Sequence, residues 1–401
     1  MGTLSRLYDK AEWNKYYEYK KEQGNLPEKL LSELEEYIDQ QKYLPVVEKI
    51  LSEDSLSYPK KSLINKSKAG RKRAVYTFPM EENYILKLMA YLLRRYDCVF
   101  APNLYSFRKD RGVKRATEDI LRIRNLNQRY VYKLDISDYF NSVDINILLP
   151  KLKATLADDP SLYKFVKGLL ESSKVVFDGE VIEEKKGIMA GVPISGFLAD
   201  LYLYELDWYF YNNNIPYMRY SDDIIVFADD ESVLESSVKT IKDTLSQHKL
   251  GVNSEKEVFS PPGTPWNFLG FSYNNGIIDI SNISFEKLKA KMKRKSRSLK
   301  RWAARKQLPG TLAARAFIKR FNAKLYDNPI HNELTWTKWY FPVINTDATL
   351  KAIDEYMQEC IRYLATGKRT KAKYNFKYSD IKALGYRSLV NEYYKRKNTD
   401  L

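Results

Sequence analysis

Tyr217-Met218-Arg219-Tyr220-Ser221-Asp222-Asp223-Ile224-Ile225-Val226-Phe227 decides how this chain is read. Apolar, β-prone residues flank a short polar turn on both sides, which predicts a β-hairpin with two carboxylates at its tip. Two adjacent aspartates repel one another, and folding gains nothing from packing them together. A divalent cation removes that cost. A solvated Asp-Asp turn is the plainer alternative, and Asp229-Asp230 supplies one a few residues on. The company each pair keeps separates them.

A second acidic site lies upstream, in Tyr130-Val131-Tyr132-Lys133-Leu134-Asp135-Ile136-Ser137-Asp138-Tyr139-Phe140. Tyr130 to Leu134 reads as a buried strand, and Asp135 falls at its end, where a strand fixes the backbone and leaves the carboxylate at a rim. Asp135, Asp222 and Asp223 together offer three hard oxygen ligands. That set suits two Mg²⁺ ions about 3.5–4 Å apart, the arrangement that clamps the attacking and leaving oxygens of phosphoryl transfer.

With these segments in place, the chain resembles reverse transcriptases from about Lys66 to Phe271, in the family's order. Asp135 to Phe140 resembles motif A, and Gly187-Ile188-Met189-Ala190-Gly191-Val192-Pro193-Ile194-Ser195 resembles motif B. Tyr220 to Asp223 resembles motif C, Gly251-Val252-Asn253 with Lys256 motif D, and Phe268-Leu269-Gly270-Phe271 motif E, the primer grip. The resemblance implies an α+β right-hand polymerase: fingers, a palm of antiparallel sheet with helices, and an all-helical thumb with a C-terminal extension. It implies an RNA-directed DNA polymerase that transfers dNMP to a primer hydroxyl on an RNA template. Asp135, Asp222 and Asp223 are then the catalytic residues. With Ile136 they are the expected ligands of two Mg²⁺ ions, Mn²⁺ being a substitute. One ion would lower the pKa of the primer 3′-hydroxyl, and the other would hold the triphosphate.

The resemblance also assigns roles to single residues. Phe140, five residues after Asp135, takes the steric-gate position, where a bulky ring leaves no room for a 2′-hydroxyl. Core packing is the competing fate of such a Phe. Ala190 and Gly191 of motif B fall at the incoming nucleotide. Here the chain departs from its relatives: Met189-Ala190 replaces the usual Pro-Gln, and Ala cannot make the contact that Gln makes. Lys256 is expected to act as a general acid toward pyrophosphate, against the alternative of one more exposed lysine. Lys66, Lys68, Arg71, Lys72 and Arg73 straddle Gly70 and resemble the fingers segment that cradles the triphosphate; Lys72 and Arg73 are the expected contacts, Arg73 the better placed because a guanidinium binds phosphate bidentately. Asn103-Leu104-Tyr105-Ser106-Phe107-Arg108 resembles the second fingers motif. Tyr220, Phe268, Leu269 and Gly270 are expected at the primer and template, and Asn275-Gly276 signals a type I′ turn in a further hairpin.

Composition agrees with a nucleic-acid partner. The 401 residues carry 67 basic and 51 acidic side chains, a formal charge of +16. A positive field of that size favours a polyanion over a small acidic molecule. Two cysteines, Cys98 and Cys360, are too few for a disulfide framework or zinc site, and two histidines, His248 and His331, speak against histidine-based chemistry. There is no 18-residue apolar run and no signal-peptide start, so a cytoplasmic protein without a membrane partner is expected.

Three regions are predicted. Residues 1–60 form a helical N-terminal extension, with Leu30, Leu31, Leu34, Tyr37 and Ile38 as one apolar stripe. Fingers and palm occupy 61–283, including a buried helix marked by Tyr84, Ile85, Leu88, Met89, Leu92, Leu93 and Tyr96. Residues 284–401 form the thumb and C-terminal extension. Lys287 to Lys306 holds eleven Lys or Arg residues around an apolar seam of Phe285, Leu288, Met292, Leu299 and Trp302. This is an amphipathic helix with a basic face, on which Lys293, Arg297 and Arg301 would meet template–primer phosphates. Trp336, Trp339, Tyr340 and Phe341, a helix around Ile353 to Leu364, and the basic run Lys368 to Lys373 follow. Their mixture of aromatic and basic residues suits a structured noncoding RNA, as template or scaffold.

RNase H acids, zinc motifs, the retron segments and the group II intron Pro-Gln are all missing from the sequence. The nearest resemblance is to the stand-alone bacterial class, the defence-associated and abortive-infection enzymes, which implies a role in antiphage defence. Template-independent or protein-primed synthesis, and a retron or group II intron type, are the alternatives within the family. Outside it stand a silent RNA scaffold, an RNA-dependent RNA polymerase and a nucleotide cyclase.

Overall fold

The computed structural model describes residues 2–24, 26–53, 55–65, 72–327 and 335–399. The expected basic loop residues Lys66, Lys68 and Arg71, with Gly70, and also His331, lie outside the described residues. Among the described residues eleven strands run in chain order: β1 (Lys60–Asn65), β2 (Lys72–Thr77), β3 (Tyr130–Asp135), β4 (Lys174–Phe177), β5 (Glu180–Glu183), β6 (Tyr217–Tyr220), β7 (Asp223–Ala228), β8 (Val258–Ser260), β9 (Trp266–Phe268), β10 (Phe271–Asn274) and β11 (Ile277–Ile280). Helices fill most of the intervals. The chain packs as two compact units, Met1–Pro262 and Gly263–Leu401.

The first unit contains two four-stranded sheets. One, in the order β6-β7-β3-β8, is antiparallel throughout. Its central strand β7 is apolar on both faces beyond Asp223, β3 beside it carries Lys133 and Asp135 on one face, and Val131, Leu134, Ile224, Ile225, Val226 and Phe227 are buried. Such continuous apolar runs belong to a sheet covered on both sides. The other sheet has the order β2-β1-β4-β5, with β1 and β4 parallel and the rest antiparallel.

Residues 1–60 are no appendage. Trp13 stacks on Tyr43 at 4.9 Å, and Tyr37 packs on Tyr84 at 4.8 Å, in the same buried cluster as β3 and β7. The backbone N–H of Thr3 donates to Asp159 Oδ2 at 2.6 Å, tying the first helix to one far along the chain. The expected buried helix forms over Met80–Leu92 and continues as a 3₁₀ turn over Leu93–Val99, and all seven predicted core residues are buried. Asp229-Asp230 has the plain role: Asp230 caps the helix Glu231–Gln247, accepting from Val233 N–H at 2.9 Å, and Asp229 pairs with Arg129 at 3.1 Å.

The second unit combines the sheet β11-β10-β9 with helices, the longest being Asn282–Arg305, Gly310–Leu325 and Ala348–Thr366. The expected boundary at 283/284 falls 21 residues after the division at Pro262. The reason lies in the strands' partners. Asp279 Oδ2 accepts from Thr349 N and Oγ1 at 3.2 and 2.8 Å, Asn345 Oδ1 accepts from Ile278 N at 2.8 Å, and Phe271 packs edge-on against Tyr340. These strands share a core with the helices that follow. Asn275 and Gly276 adopt φ 48° and 84°, the two positive values that a type I′ turn demands. The last helix, Leu389–Thr399, is held by Asp354, whose oxygens accept from Leu389 N, Val390 N and Ser388 Oγ at 2.7–3.1 Å.

Candidate active site

Strand register brings the three acids together. In the β3–β7 ladder Asp135 lies directly opposite Asp223. Side chains of directly opposed residues are neighbours on one face, with Cβ atoms roughly 4.5–5.5 Å apart. Asp222 follows from the hairpin: β6 and β7 are joined by the two-residue loop Ser221-Asp222, with Tyr220 opposite Asp223. Ser221 takes φ 58° while Asp222 does not enter the positive region, the pattern of a type II′ turn. Past the ladder, Ile136 N–H donates to Asp222 C=O at 2.9 Å, so the turn is stitched to the motif A strand.

The electrostatics are those of an acid cluster only partly compensated by nearby lysines. Asp135 is 4% exposed, whereas Asp222 and Asp223 are half-buried. Burial raises the Asp222 carboxyl above the usual range, and Asp135 beside it adds to the rise. Burial lifts Asp223 to about 6, against the pull of Lys133, with Asp222 and Asp135 pushing further. Lys256 forms an ion pair with Asp135 Oδ1, and its ammonium acts on Asp222 and Asp223 as well. Asn253 Nδ2 donates to Asp135 Oδ2 at 3.2 Å, and Lys133 Nζ lies 3.9 Å from Asp223 Oδ1.

The donor set suits a hard divalent cation: three carboxylates at one end of a sheet, with a lysine ammonium facing all of them where positive charge is needed. Ile136 buries its side chain, so its carbonyl oxygen is the ligand it offers. Among the described residues, no group of three His, Cys, Asp or Glu side chains stands arranged to hold a metal ion.

Of the residues expected at the nucleotide, Lys256 and Arg73 act on the acids. The Arg73 guanidinium sits over the Phe140 ring at 5.9 Å, and its charge acts on Asp222. Phe140 is half-buried and meets Phe107 edge-on at 6.2 Å. Lys72 is exposed on β2. The motif B loop packs on both: Tyr76 N–H donates to Ala190 C=O at 2.8 Å, and Ile188 N–H to Phe140 C=O at 2.9 Å. Gly187 is required there, since a Cβ would lie 2.4 Å from the Phe140 carbonyl oxygen. Ala190 differs from expectation. Its side chain is buried, and its N–H faces Asn141 Oδ1 at 3.4 Å. Gly191, next to it, is exposed.

Residues 58–273 match the family described as reverse transcriptase (RNA-dependent DNA polymerase). The chain belongs to the reverse transcriptase family. No curated protein matches it. Among solved structures, apo telomerase from Candida tropicalis is similar with a TM-score of 0.50 at 13% identity, over 84% of this chain and 61% of that one. A C-terminally truncated form of that telomerase gives 0.44 at 15%, over 56% and 55%. Telomerase from Candida albicans, in complex with a fragment of telomeric RNA, gives 0.45 at 13%, over 87% and 68%. The chain thus spans a little over half the length of the first two telomerase chains. The likeness at 0.50 is one of fold, the right-hand reverse transcriptase fold of mixed helix and sheet.

The segment expected as motif E lies in the second unit, as the β9–β10 turn. Leu269 and Gly270 take φ 50° and 90°, again a type I′ pair, and both are half-exposed. Phe268 is 3% exposed, so its ring supports the turn from within and offers no surface to a primer. Lys293, Arg297 and Arg301 are exposed on the helix Asn282–Arg305, opposite the buried seam of Leu288, Met292 and Leu299. Lys293 and Arg297 line a pocket of about 300 Å³ with Lys368, Arg369 and Lys373, so two basic runs far apart in sequence converge.

Several participants escaped the sequence reading. Lys133 could have been found: it sits two residues before Asp135 on one strand and therefore shares its face. The buried pair Arg219–Asp207 could not, nor could the contact of the motif D residue Asn253 with Asp135, because both depend on distant segments meeting. In the second fingers motif, Arg108 donates through Nη1 and Nη2 to the carbonyls of Ala101, Leu104 and Asp97, which holds the loop, while its buried Nε has no hydrogen-bond partner.

Proposed function

We propose that this chain is an RNA-directed DNA polymerase, with Asp135, Asp222 and Asp223 as its catalytic carboxylates. The observation that carries the reading is the register placing Asp135 opposite Asp223, with Asp222 stitched to Ile136. Asp135, Asp222, Asp223 and the Ile136 carbonyl would hold two Mg²⁺ ions, or Mn²⁺ in their place, which supply Lewis acidity to the hydroxyl and phosphate oxygens. The chain's own side chains do the rest. Arg73 and Lys72 bind the triphosphate, and Arg73 is steadied over the Phe140 ring. Phe140 closes the space under the sugar and favours dNTPs over rNTPs. Lys256, a half-exposed side chain paired with Asp135, would give a proton to departing pyrophosphate.

Within the family we assign the chain to the stand-alone, defence-associated class, making DNA on a cognate structured noncoding RNA. Met189-Ala190 in place of Pro-Gln supports this, as does the basic helical second unit with its pocket at Lys293 and Arg297. The catalytic assignment is tested by incubating purified protein and its co-purifying RNA with Mg²⁺ and labelled dNTPs or rNTPs. Incorporation of dNTPs that vanishes in an Asp222→Ala/Asp223→Ala variant is expected. Absence of incorporation under every condition sinks the polymerase assignment, and equal use of rNTPs sinks the role of Phe140. The biological assignment is tested separately by phage challenge of cells carrying either protein; protection that survives the double substitution separates defence from synthesis.

A further inference from the structure

A second cavity in the first unit, of about 280 Å³, lies among the helices Lys10–Gln23, Glu28–Asp39 and Met80–Leu92 and the start of the motif B helix Ser195–Tyr202. Its volume is near the lower end of ligand pockets, about 300 Å³. Lys20, Lys87 and Arg94 face it, together with Tyr19, Tyr91 and Phe107. Each of the three cations lies against aromatic rings. Lys20 Nζ sits over the Tyr16 and Tyr19 rings at 5.7 and 5.4 Å, Lys87 Nζ over Tyr84 at 5.0 Å, and Arg94 over Tyr19 and Tyr91 at 4.4 and 5.5 Å. Among the described residues, no ion pair joins any of them to a carboxylate. Burial holds both lysines below the usual range, and the charges of Lys87 and Arg94 depress Lys20 further.

Two acids also line the cavity, and of these Asp97 offsets part of the Arg94 charge without an ion pair. Asp97 Oδ2 accepts from Lys109 N–H at 3.2 Å. Asp200 Oδ1 accepts from Ser106 Oγ at 2.8 Å, lies 3.8 Å from Arg219, and is 1% exposed, with burial lifting its carboxyl to about 8. The surplus of positive charge therefore stands. Gathering three like charges in a partly desolvated space is unfavourable, and ring contacts at exposed sites return only about 0.5–1 kcal/mol each. An anion entering the cavity relieves that cost. Aromatic walls beside cationic groups suit a base attached to a phosphate, since every base has a face to stack.

We propose that this cavity binds one unpaired nucleotide unit, its phosphate on Lys20, Lys87 and Arg94 and its base against Tyr19 and Tyr91. The unit is separate from the incoming dNTP, yet close to it in structure: Phe107 lines the cavity and meets Phe140 edge-on. The ligand can come from two sources, a free nucleotide or a single nucleotide within an unpaired RNA stretch.

Both sources are tested in metal-free buffer, so that failure of polymerase activity has no bearing on the outcome. In the first arm UMP is titrated calorimetrically into the full chain. In the second a hexameric RNA with one 4-thiouridine is photo-crosslinked and the adducts mapped by mass spectrometry. Wild type is compared with Lys20→Ala/Lys87→Ala and, separately, with Arg94→Gln, each checked for an unchanged thermal melt. UMP binding that weakens at least tenfold in the variants supports a free nucleotide. Crosslinks at Tyr19 or Tyr91 that are lost in the variants support an RNA strand. Absence of both signals in wild type, or signals unaltered by the substitutions, overturns the proposal.

Discussion

Asp207→Asn probes what holds the strand beneath the catalytic hairpin. Arg219 precedes Tyr220 on β6, and its side chain and that of Asp207 are both 0% exposed. The guanidinium donates through Nε and Nη2 to the two Asp207 oxygens at 2.8 and 2.5 Å, and through Nη2 to Asp200 C=O at 3.0 Å. Tyr217 Oη donates to Asp207 as well, at 3.0 Å. An amide at 207 keeps the shape, removes the charge, and sets an NH₂ group against donors. Removing one partner of a buried ion pair costs about 3–5 kcal/mol, because the other charge is left uncompensated. Asp200, 3.8 Å from Arg219 Nη1, can ionise in compensation, which favours the lower end of that range. For a unit of this size, each kcal/mol moves Tm by about 2–4 °C, so a fall of about 6–20 °C is expected. Differential scanning fluorimetry with circular dichroism on the full chain provides the measurement. Arg219→Met/Asp207→Leu, which removes both charges, should melt closer to wild type than Asp207→Asn does. A single-variant drop below about 2 °C, or a double variant less stable than the single, refutes the reasoning.

Further expectations concern the surroundings of the site. Phe140→Ala should admit ribonucleotides and raise the rNTP-to-dNTP incorporation ratio by at least tenfold in primer extension; an unchanged ratio returns Phe140 to a packing role. Gly187→Ala should cut activity and stability together, on the order of 2 kcal/mol or more, since the added methyl meets backbone at 2.4 Å and the position has φ 53°; denaturant melts alongside the extension assay would show the joint loss. Lys186 is 2% exposed, its Nζ has no hydrogen-bond partner, and burial lowers it to about 8. Below pH 8 the ammonium is charged in both folded and unfolded chains, so the full burial penalty is present. As pH rises from 8 toward the unfolded value near 10.5, the unfolded chain holds the extra proton and the penalty falls away. Lys186→Met should therefore raise Tm at pH 7 and have a smaller effect at pH 10; a benefit independent of pH would contradict the charged, unpaired state.

Local pattern carried much of this molecule. The hairpin at Tyr220–Asp223, the strand ending in Asp135, the helix from Met80 and the amphipathic helix from Asn282 all stand where alternation or helical spacing puts them. Local signals are legible because a strand or helix face is defined by residues two, three or four apart. Ala190 and Phe268 show where such reading stops. Each belongs to a motif, yet each is turned inward, and the direction of a side chain in a loop or turn is set by what packs around it. The Pro262 division was hidden for a like reason: β9 to β11 read as more of the palm sheet until Asp279 and Asn345 join them to the helices.

What the amino-acid order determined alone is the inventory: three acids in two apolar settings, a basic face along one helix, and motifs in the reverse transcriptase sequence. Tertiary structure decided their use. It set Asp135 opposite Asp223, separated that pair from Asp229-Asp230, engaged Lys256 and Asn253 on Asp135, and gathered Lys20, Lys87 and Arg94 around one cavity. The physical reason is range. Hydrogen-bond periodicity and side-chain spacing act over a few residues, whereas charge–charge interaction and desolvation depend on distance through space, which only the folded chain defines.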